Sequence, residues 1–147
     1  MPDYQICVDK VHGTLVAIEG KGVLLIGNSG VGKSDLALRL IERGRAVLVA
    51  DDVVCLTKVG DQLIGQADDK IAGLLEVRGL GIIPYAYRQN AAVNLVIELK
   101  NTAEDVERFP QIAQENILGV EIPKIDLYAK ECSAVEKVCL GLRLYGG

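Results

Sequence analysis

The sequence predicts an α/β domain, and three observations lead to this prediction. Segments with the pattern of β-strands alternate along the chain with segments that have the pattern of helices, which is typical of α/β folds. Valine, isoleucine and leucine dominate the apolar residues, while aromatic residues make up only 4% of the chain. Such a composition suits a sheet covered by helices. A glycine-rich loop joins an apolar strand to the first helix.

Strands are predicted where short apolar runs are bounded by turn residues. In the first half of the chain these runs cover residues 14–18, 22–26, 46–50, 53–58 and 62–65. In the second half they cover residues 92–99 and 122–127, while residues 74–77 and 81–83 are short apolar segments. Turns are expected at residues 19–22 and 59–61, and residues 67–73 are expected to form an exposed loop.

Helices are predicted where apolar residues recur on one face. Residues 33–43 have this pattern, and Gly44 stands where a left-handed cap is expected. Residues 102–108 are expected to form a short helix. Ser133 and Glu136 form a capping-box pattern, which predicts that a terminal helix begins there and runs almost to the end of the chain.

Charge and hydropathy exclude several classes of protein. The formal net charge is -4, and the absence of a basic stripe argues against nucleic-acid binding and against attachment to anionic membranes. No apolar run is long enough to cross a bilayer. Residues 1–10 carry Asp3 and Asp9 and lack the apolar centre of a signal peptide. We therefore expect a cytoplasmic protein without a membrane or nucleic-acid partner.

The four cysteines, Cys7, Cys55, Cys132 and Cys139, show no C-x-x-C spacing. This argues against a zinc site. In a cytoplasmic protein we expect all four to be reduced thiols without a disulfide.

Eight consecutive residues match the phosphate-loop pattern G-x-x-x-x-G-K-[ST]: Gly27, Asn28, Ser29, Gly30, Val31, Gly32, Lys33 and Ser34. Glycines let successive backbone N–H groups point at phosphate oxygens, and the following helix adds its positive end. In this pattern Lys33 reaches the outer phosphates of ATP and Ser34 offers its hydroxyl to Mg²⁺. The strand before and the helix after make a chance glycine-rich turn the weaker interpretation.

Two acids follow the predicted strand at residues 46–50. Asp51 and Asp52 stand beyond its carboxyl end, where open α/β sheets bind ligands. Neighbouring side chains of an extended chain point to opposite sides. One acid can then face a metal or a nucleophile while the other anchors the loop. A solvated pair in a turn is the alternative.

Three other polar residues have patterns that allow more than one interpretation. Glu76 and Arg78 lie on one face of an extended segment, where they can serve a metal and a phosphate. Their spacing is equally compatible with a surface ion pair. His12 is the only histidine, and a lone histidine is more often structural or exposed than catalytic.

Four segments in this order resemble the catalytic domain of the HPr kinase/phosphorylase family: residues 11–13, 27–34, 50–52 and 75–84. The resemblance implies a P-loop-containing mixed sheet with flanking helices, related to phosphoenolpyruvate carboxykinase. It also implies one kinase catalytic domain over residues 1–147, in a short form without the family's N-terminal domain, and assembly as a hexamer. The implied activity is transfer of phosphate from ATP, with Mg²⁺, to a serine of an HPr-like phosphocarrier protein.

The resemblance also implies roles for individual residues. His12 is similar to the family's active-site histidine, which reverses the interpretation of a lone histidine. Asp51 resembles the residue that takes the serine proton in the forward reaction and returns one in the reverse reaction. Lys33 matches the phosphate-loop lysine.

Further roles concern the metal and the transferred group. Ser34 and Glu76 match the magnesium ligands, and Asp52 neighbours the metal or the base. Arg108, in a segment that resembles the one carrying a catalytic arginine, is expected to stabilise charge on the transferring group.

One departure from the family leaves alternatives open. The family's arginine- and glycine-rich loop, important for dephosphorylation, has no clear match in residues 123–133, so phosphorylase activity stays open. A nucleotide-binding regulatory module without catalysis is one alternative. A kinase for a small metabolite or another protein is the other.

Overall fold

The computed structural model describes residues 7–147. The strands of the first half are β1 (Asp9–His12), β2 (Thr14–Ile18), β3 (Lys21–Gly27), β4 (Val47–Ala50), β5 (Val53–Val59) and β6 (Gln62–Ala67). Those of the second half are β7 (Leu74–Val77), β8 (Gly81–Pro84), β9 (Asn90–Leu99), β10 (Ala113–Ile117) and β11 (Val120–Leu127). The helices are α1 (Lys33–Glu42), α2 (Ala134–Tyr145) and one turn of 3₁₀ helix (Ala103–Asp105). Residues 1–6, which include Asp3 of the segment expected to lack a signal peptide, lie outside the described residues.

One mixed sheet contains nine strands in the part of the chain that the structure describes. Its main path runs β1-β5-β6-β9-β3-β2-β4, while β7 and β8 form a separate hairpin. Strand β9 is long enough to pair with β6 near its start and with β11 near its end. Its first residues pair with β6, with Ala91 opposite Gly65, and its last residues pair in parallel with β11, which carries β10 on its other side.

Four strands of this sheet run in the same direction and end at one edge. Strands β3, β9 and β11 are parallel neighbours. Strand β2 runs antiparallel to both β3 and β4, so β4 is parallel to β3. We call the edge where β3, β4, β9 and β11 end the carboxyl edge. In an open α/β sheet, this is the edge where ligands bind.

The sheet is covered on both faces. On one face α1 and α2 pack against residues such as Leu25 and Ile97. On the other face, Leu24 and Val96 pack against β5 and β6 as the sheet curls over. Successive strand residues point to opposite faces, and this is why the central strands are continuous apolar runs without a polar alternation.

Several sequence predictions are confirmed. The α/β class is observed, with a mixed sheet and helices beside it. Helix α1 begins at Lys33 as predicted, and Gly44 has a φ of 72° and donates its N–H to the carbonyl of Ile41. The hairpin of β5 and β6 turns where expected.

Two local predictions need correction, and two polar strands were not predicted. The helix at residues 102–108 is limited to one 3₁₀ turn, because all of its residues except the half-buried Val106 are exposed and it has no apolar face against the core. Strands β1 and β10 were not predicted, since both are largely polar and depend on pairing with neighbouring strands. Ser133 does precede α2, but its side chain makes no capping hydrogen bond.

The expectation of four reduced thiols is wrong for one pair. Cys7 and Cys55 form a disulfide with their Cα atoms 5.5 Å apart. They are 48 residues apart in the chain, and the pairing of β1 with β5, which contains Cys55, brings the segment just before β1 close to it. Cys132 and Cys139 are free. Of the helices in the described residues, none has the length and apolar character needed to span a membrane.

Candidate nucleotide-binding and catalytic site

The predicted phosphate loop lies at the carboxyl edge, between β3 and α1. It begins at Gly27, where a side chain would not fit. A Cβ atom there would lie 2.7 Å from the carbonyl oxygen of Leu99 and 2.9 Å from Cγ1 of Val31. Glycine therefore lets the loop start directly against the end of β9.

The loop ends at Gly32, the residue before α1, which has a φ of 103°. This left-handed conformation favours glycine, and a Cβ atom would also lie 3.2 Å from Cβ of Ala129. Arg39 of α1 donates a hydrogen bond to the carbonyl of Ala129 and so ties the helix to the end of β11. The first N–H groups of α1 have no partners within the helix, and with the helix dipole they favour an anion at this end.

The ammonium group of Lys33 is folded back onto the loop. Its Nζ donates hydrogen bonds to the carbonyls of Gly27, at 2.8 Å, and Asn28, at 3.1 Å. These carbonyls belong to the same loop that would surround a phosphate. The positive charge therefore already lies at the loop, and it can exchange carbonyl oxygens for phosphate oxygens.

Asp51 joins three elements at the carboxyl edge. It is only 6% exposed. Its Oδ1 accepts hydrogen bonds from the hydroxyls of Ser34, at 2.7 Å, and Thr14, at 2.9 Å. Its Oδ2 accepts one from the backbone N–H of Glu76, at 3.2 Å. The carboxylate is thus oriented by α1, β2 and β7 together.

Thr14 was missed as a site residue. The pairing of β2 with β4 sets Leu15 opposite Ala50, and this register puts Thr14 beside Asp51. Thr14 is fully buried. The signal in the sequence is a hydroxyl residue at the start of an otherwise apolar strand, Thr-Leu-Val-Ala-Ile.

The two neighbouring acids differ in their surroundings, as their alternation suggested. Asp51 is buried and therefore not part of a solvated pair, whereas Asp52 is exposed with a φ of 69°. The carbonyl of Asp52 accepts a hydrogen bond from the N–H of Gly13. In the described part of the chain, its carboxylate has no hydrogen bond or ion pair, so the structure does not bring it to Ser34.

Glu76 and Arg78 lie on or next to β7. Leu75 and Val77 are buried in the core beside α1, so the intervening Glu76 side chain points outward and is exposed. Arg78 follows the strand and is exposed as well. No ion pair links the two within residues 7–147, so the alternative of a surface ion pair is not realised. The backbone of Glu76 reaches Asp51, while its carboxylate remains open to solvent.

His12 and Arg108 both lie at exposed positions. His12 ends β1, opposite Val53 and next to the turn that carries the two acids. Arg108 lies in an irregular segment, with its guanidinium carbon 6.0 Å from the centre of the Phe109 ring. Among the described residues, no hydrogen bond or ion pair joins Arg108 to the phosphate loop. The structure therefore brings His12 close to the acidic turn but does not bring Arg108 to the loop.

A cluster of charges borders the carboxyl edge on β9 and β11. Glu98 lies 2.7 Å from Nζ of Lys124 and 2.9 Å from Nζ of Lys100. Hydrogen bonds from Lys124 and then Lys100 lower the pKa of Glu98 below its usual value. The bond to Glu98 in turn raises the pKa of each lysine. The two ammonium groups are therefore paired and add little free positive charge.

The donor atoms at the loop suit a magnesium ion that arrives with a nucleotide. No cluster of three or more acidic, histidine or cysteine side chains that could hold a metal occurs in residues 7–147. Mg²⁺ bound with phosphates needs only one or two protein oxygens, since phosphate and water complete its shell. The hydroxyl of Ser34, which lies 2.7 Å from the carboxylate of Asp51, is an oxygen donor of the right kind.

Comparison with known proteins identifies the family. Residues 6–139 match the model of the HPr serine kinase C-terminal domain. The chain belongs to this family. The matched residues include every candidate residue from His12 to Arg108.

Relatives of the HPr serine kinase family support the assignment. HPr kinase/phosphorylase of Caldanaerobacter subterraneus is 40% identical over 129 residues, covering 80% of this chain and 42% of the relative. That of Prosthecochloris aestuarii is 42% identical over 129 residues, covering 80% of this chain and 38% of the relative. The match thus spans about two fifths of each curated relative.

A solved structure confirms the fold. The HPr(Ser) kinase/phosphatase of Coxiella burnetii superimposes with a TM-score of 0.79 at 31% identity, covering 92% of this chain and 99% of that one. The mixed sheet with flanking helices is therefore shared with that protein.

Proposed function

We propose that residues 1–147 form the catalytic domain of a protein kinase that uses ATP and Mg²⁺ to phosphorylate a serine of an HPr-type phosphocarrier protein. The names of the relatives supply the acceptor. The observation that carries the proposal is the bond between Ser34 and the buried carboxylate of Asp51 at the mouth of the phosphate loop. This hydrogen bond holds a candidate metal ligand, Ser34, next to a candidate base, Asp51.

Residues 27–34 bind the triphosphate in this proposal. The N–H groups of the loop and of the first turn of α1 donate to phosphate oxygens. Lys33 leaves the carbonyls of Gly27 and Asn28 and neutralises the outer phosphates. Since these bonds are already formed at the loop, the ammonium group moves only a short distance.

Ser34 is the first magnesium ligand, and Glu76 and Asp52 supply carboxylates on the solvent side. The exposure of both acids leaves them free to approach a bound nucleotide. A Mg²⁺ held by these residues would offset the negative charge that develops on the phosphate oxygens.

Asp51 acts as the base. Its carboxylate takes the proton of the acceptor serine as that oxygen attacks the γ-phosphorus and the bond to the β-phosphate oxygen breaks. Arg108, on an exposed segment, approaches the transferring group and stabilises its charge. His12 lies beside the acidic turn and contacts the acceptor side of the site.

The proposal also covers the setting of the reaction. We propose a cytoplasmic enzyme that assembles as a hexamer. The relatives are named for the reverse reaction too, and Asp51 would then return the proton to the serine oxygen. Whether the chain removes phosphate from serine is the second arm of the test.

The first prediction concerns Asp51→Asn. Incubation with labelled ATP, Mg²⁺ and an HPr-type protein is expected to label a serine with the wild type. The amide cannot accept the proton, so the variant should transfer phosphate at least about a hundredfold more slowly. Its affinity for ATP, measured by calorimetry, should change by less than about threefold, because the loop and Lys33 remain.

Asp61→Asn, at an exposed turn, is the matched control and should keep full activity. Melting curves of both variants check that they fold. Wild-type protein that binds ATP but labels no acceptor would indicate the regulatory module instead. Labelling of another protein or of a metabolite, with HPr unlabelled, would indicate the other kinase. Loss of the phosphoryl group from seryl-phosphorylated HPr, assayed with and without added inorganic phosphate, decides the reverse reaction, because a phosphorylase transfers the group to phosphate and forms pyrophosphate whereas a phosphatase transfers it to water.

A further inference from the structure

Thr14 and Asp51 are the buried polar side chains of residues 7–147. They are bonded to each other at 2.9 Å. A hydroxyl without a partner is costly in an apolar environment, and the other residues of β2 are all apolar and buried. Thr14 is therefore suited to one partner, the carboxylate of Asp51.

The two hydroxyl groups that donate to Asp51 differ in whether they have another role. Ser34 stands in the magnesium position of the phosphate loop, so its hydroxyl has a second task when nucleotide binds. Thr14 has no such alternative, since it lies inside the sheet and is 0% exposed. When Ser34 turns to a cation, Thr14 remains the hydroxyl that holds Oδ1.

The backbone around Thr14 is rigid. Strand β2 is hydrogen-bonded on both sides, to β3 and to β4, and a β-branched side chain has few rotamers. On the opposite oxygen, the N–H of Glu76 occupies one lone pair of Oδ2. The remaining lone pair of Oδ2 is the position left for an incoming proton.

We propose that Thr14 is a positioning residue that fixes the rotation of the Asp51 carboxylate, with Oδ1 toward α1 and Oδ2 toward the acceptor serine. The inference rests on the proposed kinase function. It assigns Thr14 to the chemical step, since the hydroxyl does not reach the phosphate loop itself. The Thr14 hydroxyl is a neutral donor, so it orients the Asp51 carboxylate without adding a positive charge that would offset it.

The second prediction tests this with Thr14→Val, which keeps the shape and removes the hydroxyl. We expect kcat to fall about tenfold, the usual size of the loss of one hydrogen bond to a charged group. The KM for ATP should stay within about twofold. Thr14→Ser, which keeps the hydroxyl, should restore most of kcat. Thr102→Val is the matched control, because it removes an exposed threonine–aspartate bond, that to Asp105, and should leave kcat unchanged.

A kcat of Thr14→Val within about twofold of wild type overturns the inference, and so does an equal loss in Thr14→Ser, which would indicate packing alone. If the wild type transfers no phosphate, the kinase proposal fails. Crystal structures of the wild type and of Thr14→Val then test the positioning role of Thr14 independently. A rotated Asp51 carboxylate in Thr14→Val supports the positioning role. An unchanged carboxylate overturns it.

Discussion

At the scale of single residues, the carboxylate of Asp51 is held by neutral groups only. Two hydroxyls and one N–H bond to it, and no ion pair involves it within residues 7–147. Buried charge without a counter-ion is costly unless it is well hydrogen-bonded. The nearby ammonium group of Lys33 is bound to carbonyls instead. The site therefore binds the negative and the positive group to different partners, and neither charge is neutralised by the other.

The third prediction concerns Lys33→Met, which keeps the length of the side chain and removes its charge. We expect the Kd for ATP to rise at least about tenfold, because a full charge near the outer phosphates is lost. Calorimetric titration with ATP measures this. Lys70→Met, at an exposed turn, should bind ATP like the wild type. Equal affinities for Lys33→Met and the wild type would contradict the assignment of Lys33.

At the scale of elements, the junction between β3, α1 and the ends of β9 and β11 shapes the phosphate loop. Gly27 lies against Leu99 at the end of β9, and Gly32 lies against Ala129, which follows β11. Helix α1 is anchored in the core by its own residues Leu36 and Leu40, which are both fully buried. The loop is therefore set by the packing of its neighbours more than by its own contacts.

The fourth prediction compares Gly32→Ala with Gly44→Ala, at the two ends of α1. Both residues have positive φ angles, 103° and 72°, so each variant should lose about 1–2 kcal/mol of unfolding free energy. Only Gly32→Ala also crowds Ala129 at the loop, whereas nothing lies within 4 Å of a Cβ at Gly44. We expect weaker ATP binding in Gly32→Ala alone. Urea unfolding and calorimetry measure the two effects, and equal losses of ATP affinity would show that the loop geometry is not specific to Gly32.

At the scale of the whole molecule, β9 connects the layers. Val96 and Ile97, neighbours in β9, are both fully buried and lie on opposite faces of the sheet. The strand pairs with β3, β6 and β11 and ends beside the phosphate loop. Glu98 near the end of β9 and Lys100 just beyond it belong to the charge cluster at the carboxyl edge. Stability of the sheet and order of the site therefore depend on the same strand.

The fifth prediction concerns acid stability. The pKa of Glu98 is lowered in the fold from its usual value of 4.5. Its contribution to stability is therefore present above about pH 4.5 and is lost as the pH falls through the lower, folded value. Glu98→Gln should reduce the unfolding free energy by roughly 1 kcal/mol near neutral pH. The difference from wild type should shrink at about pH 3.

Urea unfolding at both pH values measures the difference. Glu104→Gln, at an exposed position of the 3₁₀ turn, is the matched control and should follow the wild type at either pH. A difference between Glu98→Gln and wild type that stays constant with pH would indicate lost packing rather than lost charge pairing.

Local patterns determined much of this protein. The strand, loop and helix around residues 27–34 follow from apolar runs, glycine placement and helical spacing, all of which act over a few residues. The same is true of Gly44 as a helix cap and of the placement of Asp51 after a buried strand. These features could be predicted because the physical constraint and the residues that meet it are neighbours in the chain.

Tertiary structure alone decided the rest. Pairing between distant strands put Thr14 beside Asp51 and joined Cys7 to Cys55, and no local pattern contains that information. The polar strands β1 and β10 form because partners supply their hydrogen bonds, while residues 102–108 lack a partner surface that would extend their single 3₁₀ turn. The sequence by itself determined which chemical groups lie at the phosphate loop. The register of the sheet decided which groups hold it in place, because contacts across a sheet depend on the pairing of whole strands.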